Sequence, residues 1–173
     1  MNVRGLTLAG VVSLCAVLAG VLVLACAPAL AVRGYVPGVP SSFGSAGSGD
    51  GQFKEPTGVA VNGSSEPLVE PAAGDVYVLD TGNNRVERFS SAGVFIAAWG
   101  WGVGDGEAKY EVCTSGCRAG IAGVGAGQFN SSQAIAVDNS TSLSDPSRGD
   151  VYVANAGEHG VIDVFSSTGA YIR

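Results

Sequence analysis

From residue 58 onward the chain alternates short apolar runs with clusters of turn-forming residues. Val59-Ala60-Val61, Val76-Tyr77-Val78-Leu79 and Val94-Phe95-Ile96-Ala97-Ala98-Trp99 are separated by Gly, Asn and Asp. Each run is too short for a stable helix and rich in β-branched or aromatic side chains, which suits a pleated, half-buried surface. The pattern predicts strands at 58–62, 75–79, 85–89 and 94–99. No stretch after residue 31 carries a helical period. The run at 76–79 is apolar on both faces, as a strand covered on both sides should be. Arg85-Val86-Glu87-Arg88-Phe89 is more mixed, which predicts a place nearer solvent.

The same pattern then returns. Gly51-Gln52-Phe53 recurs as Gly127-Gln128-Phe129, and Val59-Ala60-Val61-Asn62 as Ile135-Ala136-Val137-Asp138. Gly74-Asp75-Val76-Tyr77-Val78 recurs as Gly149-Asp150-Val151-Tyr152-Val153, and Phe89-Ser90-Ser91-Ala92-Gly93 as Phe165-Ser166-Ser167-Thr168-Gly169. The offset is 76, with a slip to 75 in the middle that compensating single-residue loop changes explain. A repeat of this size marks a supersecondary unit that buries its apolar faces by stacking on its neighbours.

Asp50-Gly51-Gln52-Phe53, Pro56-Thr57-Gly58-Val59-Ala60-Val61 and Val76-Tyr77-Val78-Leu79-Asp80-Thr81-Gly82-Asn83-Asn84-Arg85-Val86, completed by Phe89 and Gly93, resemble the NHL repeat. The second copy departs from it: Ser132 stands for Pro56, Asn155 for Asp80, and Glu158-His159-Gly160 for the Asn-Asn-Arg turn. The resemblance implies an all-β fold, a partial β-propeller of four-stranded antiparallel blades, one repeat per blade, in rings of usually about six. It implies no particular activity, because fold does not specify function. The expected organisation is a signal peptide at 1–31, a linker or ring-closing outer strand at 32–50, repeats at 51–100 and 125–173, and an insertion at 101–124. The segment 35–44 ends in Ser42-Phe43-Gly44, like Trp99-Gly100. Loops at 64–73 and 140–148 lengthen the first hairpin of each copy and, with the insertion, are either recognition surfaces or tolerated decoration. Two repeats leave apolar faces uncovered, so the sequence is expected to be the N-terminal part of a longer protein, or a unit that assembles with copies of itself.

The N-terminus gives an address. Arg4 precedes a nearly uniform apolar run at 6–25, and Ala29-Leu30-Ala31 has the small-x-small form of a cleavage site. Cleavage after Ala31 is the favoured outcome; an uncleaved anchor and lipidation at Cys26 are the alternatives. All three place the rest of the chain in the cell envelope or outside the cell, with membrane contact only through this segment. Cys113 and Cys117 are the cysteines beyond it, an even number in an oxidising compartment, and are expected to form a small disulfide loop. A zinc site would want four ligands, and His159 is the sole histidine.

The formal net charge of −6, without a basic cluster, argues against a nucleic-acid partner, whose phosphates demand several Lys or Arg contacts. No catalytic, metal or cofactor motif emerges. The most polar constellation, Asp80, Asn83, Asn84 and Arg85, reads as a structural turn, because Asp and Asn bond nearby backbone N–H groups and Asn tolerates positive φ. Gly82 spoils a calcium-loop pattern. Trp99 is expected to pack between the repeats and Trp101 to open the insertion. The expected function is an extracellular binding or scaffolding module for a protein, peptide or glycan. The alternative is part of a propeller enzyme, hydrolase-like or a metal-dependent lyase, whose catalytic residues lie in other blades.

Overall fold

The computed structural model describes residues 42–63, 72–157 and 160–173. The expected signal peptide with Ala31, Cys15 and Cys26, residues 35–41 of the suggested closing strand, most of the first hairpin loop, and His159 lie outside the described residues. The described residues are all-β, with one 3-10 turn at Thr81–Asn83. Among them no helix is long and apolar enough to cross a membrane.

Among the described residues ten strands form three sheets. A small parallel pair joins β1 (Ser45–Ala46) to β2 (Gln52–Phe53). The first large sheet is an antiparallel meander of β3 (Gly58–Val61), β4 (Val76–Asp80), β5 (Arg85–Phe89), β6 (Phe95–Trp101) and β7 (Tyr110–Cys113). The second is built from β8 (Ser132–Val137), β9 (Val151–Asn155) and β10 (Val161–Phe165). Residues 76–79 and 151–154 thus occupy the middle strand of corresponding three-strand meanders. The registers repeat as well: Val59 faces Val78 as Ile135 faces Val153, and Asp80 faces Arg85 as Asn155 faces Val161.

Neither sheet has the expected four strands. The first gains β7 from the 101–124 insertion, with Ala98 paired to Cys113 and Trp101 to Tyr110. That return is fixed by a Cys113–Cys117 disulfide and by burial of Val103 against Ala98 and both cysteines. In the second sheet the outer partner of β10 is a single bridge between Phe165 and Tyr171. Residues 42–44 form no strand.

The two large sheets share one core. Tyr77, Leu79, Val86 and Trp99 from the first meet Phe129, Val151, Val153 and Phe165 associated with the second. Burying side chains of this size stabilises by about 1.5–3 kcal/mol each. The first strands of the two sheets lie side by side. Thr57 and Thr81 both donate to the Ser132 carbonyl, at 3.2 and 3.1 Å. The Asn139 side chain accepts from Gly63 N–H at 2.7 Å and donates to the Val61 carbonyl. Trp99 is fully buried between the sheets, its ring 5.9 Å from Tyr77 and 6.1 Å from Phe165. Trp101 is half-buried, its indole N–H donating to the Ala126 carbonyl at 2.9 Å.

A glycine makes this joint possible. Gly169 has φ +88°, and a Cβ there would lie 2.6 Å from the Trp99 ring. The preceding repeat has the same arrangement. Gly93 has φ +77°, and a Cβ there would lie 2.8 Å from the ring of Phe43. Phe43 also packs on Phe89, at 4.8 Å, as Trp99 packs on Phe165.

Candidate functional site

Asp80, Asn83, Asn84 and Arg85 come together where β4 turns into β5. Asn84 supplies the turn with a left-handed backbone, φ 49° and ψ 49°. Asp80, Asn83 and Arg85 are buried. The Asp80 carboxylate accepts from Lys54 N–H at 2.7 Å through Oδ1, and from Asn83 Nδ2 at 2.7 Å and Arg85 Nε at 3.0 Å through Oδ2. Asn83 also donates to the Gly47 carbonyl at 2.8 Å.

Arg85 reaches far more than a neighbouring carboxylate. Its Nη1 donates to the carbonyls of Ser48 and Arg118, at 2.9 and 3.1 Å, and its Nη2 to those of Gly49 and Gln52, at 2.9 and 2.7 Å. With Nε on Asp80, every N–H of the guanidinium is used, which the planar fork of Arg allows and Lys would not. The cation therefore ties the turn to the 47–54 loop and to the end of the insertion.

The sequence pattern placed β5 toward solvent, yet Arg85, Val86, Glu87 and Phe89 are all buried. Glu87 is the member that pattern missed. Its Oε1 abuts Arg85 Nη2. Because the Nη2 hydrogens are directed at two carbonyls, neither Glu87 oxygen gains an aligned hydrogen bond. Burial pushes the Glu87 carboxyl up to about 8, with Arg85 opposing the rise and the charges of Asp80 and Asp50 adding to it. At neutral pH the buried set is mainly one ion pair, Asp80 with Arg85, beside a neutral acid. The recurrence of an acid at the same place in the second repeat, Asp163, was the available signal.

The insertion docks against this cluster. The Asp50 carboxylate accepts from the backbone N–H groups of Gly116 and Cys117, at 2.8 and 2.7 Å, inside the disulfide loop. Arg118, the next residue, supplies one of the carbonyls on Arg85. Between Asp105 and Tyr110 the insertion is mostly exposed, and Lys109 sits among Asp105, Glu107 and Glu111. Loop 140–148 is also largely exposed, with Leu143 projecting from it. Its Asp145 carboxyl lies below the usual range because it accepts from the Ser147 hydroxyl and N–H.

The second repeat carries a changed version of the cluster. Asn155 replaces Asp80, Val161 replaces Arg85 and Asp163 replaces Glu87. Asn155 repeats the bond to the loop that precedes its sheet, accepting from Asn130 N–H at 2.9 Å, as Asp80 does from Lys54. Its Nδ2 donates to the Gln128 carbonyl at 2.7 Å and to Asp163 at 3.2 Å. Burial raises the Asp163 carboxyl, with the Asn155 and Gly127 bonds opposing. The guanidinium and the carboxylate opposite it are thus missing together. Tyr110 donates to the Gly169 carbonyl, and burial pushes its hydroxyl well above the usual range.

Among the described residues no group of three or more His, Cys, Asp or Glu is arranged to hold a metal ion. Asp80 and Glu87 lie against the Arg85 guanidinium instead. What the fold and site define is an all-β protein of antiparallel sheets with a buried ionic lock. No family model matches the chain. A stretch of 53 residues, 31% of the chain, is 45% identical to part of the B-box type zinc finger protein ncl-1 of Caenorhabditis elegans. The match spans 5% of that protein's length.

Proposed function

We propose that this chain is part of an NHL-type β-propeller that acts outside the cytoplasm as a binding or scaffolding module for a protein, peptide or glycan. The observation that carries the reading is the repeated joint. Phe43 meets Gly93 and Phe89 as Trp99 meets Gly169 and Phe165. One contact used twice in succession is what a stack of equivalent units requires, and a propeller is the closed form of such a stack. The disulfide supports the extracytoplasmic address. The exposed loops at 105–110 and 140–148 are the surfaces best placed to meet a partner, since neither carries the contacts by which residues 116–118 dock on Asp50 and Arg85.

Two measurements test this. A structure of the protein with all its repeats should show successive sheets arranged around a central axis; a straight solenoid or a closed sandwich would overturn the ring. Cross-linking capture on the extracellular side, with a glycan array in parallel, should yield a partner whose retention falls when loop 140–148 is replaced by a short Gly-Ser turn. Lactone or ester turnover by the same protein, with no partner retained, would replace the binding reading with an enzymatic one.

A further inference from the structure

The turn that holds Arg85 also fixes Lys54. Its N–H donates to Asp80 Oδ1 at 2.7 Å, and its carbonyl accepts from Gly82 N–H at 2.8 Å. Gly82 lets the stem of the side chain lie close, since a Cβ there would come within 2.8 Å of Lys54 Cγ. The start of this side chain is therefore placed by the fold. Lys54 is nevertheless exposed, and it forms no ion pair among the described residues. In a chain of net charge −6 it is an uncompensated positive charge.

Lys54 lines a cavity of about 450 Å³ together with Ser48, Phe53, Gly82, Asn83 and Ala119. Asn83 is only 2% exposed. Its Nδ2 is fully used, on the Gly47 carbonyl at 2.8 Å and on Asp80 at 2.7 Å. Both partners are acceptors, which fixes which way round the amide stands. Asn83 Oδ1 accepts no hydrogen bond, and it is not among the sealed, unpartnered atoms, as Trp99 Nε1 is. A nearly buried acceptor in this state is costly until a donor reaches it. The cavity thus combines a free cation, a free acceptor and an aromatic ring. The second repeat does not copy it, because Asn130 stands where Lys54 stands.

We propose that this cavity binds the C-terminus of a peptide. The Lys54 ammonium takes the terminal carboxylate, Asn83 Oδ1 accepts from the backbone N–H of the last residue, and Phe53 meets that residue's side chain. An ammonium pairs with a carboxylate through charge-assisted hydrogen bonds. An acceptor close to a cation selects a ligand that carries a donor beside its negative charge, which a simple carboxylate such as acetate lacks. Phe53 and Ala119 favour an apolar last side chain over a sugar ring fringed with hydroxyls. The inference rests on the binding-module reading, to which it adds the ligand's chemistry and a place at the end of the sheet where β4 turns into β5.

The test is titration of the isotope-labelled chain with acetyl-Gly-Leu at constant ionic strength, followed by amide NMR shifts. Saturable shifts centred on Ser48, Lys54, Gly82 and Ala119 are expected. Three further probes are compared on the unchanged protein: acetyl-Gly-Leu-amide, which has no carboxylate; the ester analogue, in which an oxygen replaces the leucine N–H; and glucuronate. Each should bind at least about tenfold more weakly. Lys54→Met keeps the stem over Gly82 and removes the charge, and it should weaken acetyl-Gly-Leu by about tenfold. Non-saturating shifts, equal binding of the amide or the ester, or full affinity in Lys54→Met would each overturn the proposal. Glucuronate binding as tightly as the peptide would overturn it in favour of an acidic sugar. If Lys54→Met does not fold, the three probes on the unchanged protein still decide. A partner captured through loop 140–148 without any response to acetyl-Gly-Leu would sink this site alone and leave the binding-module reading standing.

Discussion

Replacing Glu87 by Gln should make the protein more stable at pH 8 while changing it little at pH 5. The carboxyl has no exposure to solvent, and burial raises it from 4.5 to about 8. Between those values the folded state holds a proton that the unfolded chain has released. Stability is then complete below about pH 4.5 and declines as pH rises toward 8. Each pH unit inside the window costs about 1.4 kcal/mol, so the total is a few kcal/mol. Gln keeps the shape and an oxygen for the Arg85 contact but has no proton to lose, so the variant should lack this component of the slope. Urea unfolding followed by fluorescence of the buried Trp99, at intervals from pH 5 to 8.5, measures both proteins. Asp163 contributes in the same direction, so the informative quantity is the difference between wild type and Glu87→Gln at each pH. A difference that stays flat with pH, or a variant less stable than wild type at pH 8, would refute a neutral Glu87 beside the Asp80–Arg85 pair.

Arg85→Met should cost about 3–5 kcal/mol, because it leaves the buried Asp80 carboxylate without its cation and removes one donor from each of four backbone carbonyls, and chemical denaturation reads the loss directly. Cys113→Ser with Cys117→Ser should cost about 2 kcal/mol in the chain-entropy estimate for so short a loop, visible as a lowered urea midpoint at unchanged slope. Gly169→Ala should cost at least about 2 kcal/mol, since it combines positive φ with a clash against Trp99; Gly116→Ala, with φ +65° and nothing within 4 Å, should cost only about 1 kcal/mol. Equal losses at the two glycines, by thermal unfolding, would remove the steric part of that argument.

The strands were legible because burial writes itself into side-chain type. The runs at 58–62, 75–79, 85–89 and 94–99 differ from the observed strands by a residue or two at their ends. Strand β7 was not legible. Tyr110-Glu111-Val112-Cys113 is a short alternation inside a glycine-rich, charged stretch, and what makes it a strand is distant: the pairing with β6 and the docking of the disulfide loop on Asp50. The turn residues Asp80, Asn83, Asn84 and Arg85 were found by their types, but the depth of Arg85 was not. A charged residue in a strand ordinarily signals solvent, and only the carbonyls of 48, 49, 52 and 118, converging from two separate segments, reverse that rule. The signal for Glu87 lay in the comparison of the copies rather than in either copy alone.

The paired loss of Arg85 and Asp80 in the second repeat limits the order in which such a site can be altered by single substitutions. Removing the arginine first leaves a carboxylate in the interior with no cation, a step that would bring the unit near unfolding. Changing Asp80 to Asn first is tolerable, because Glu87 already touches the guanidinium and can ionise to become its counter-ion. The acid that sits protonated in the first repeat is thus a reserve, and it opens a passable route between two charge states that would otherwise be separated by a non-folding intermediate.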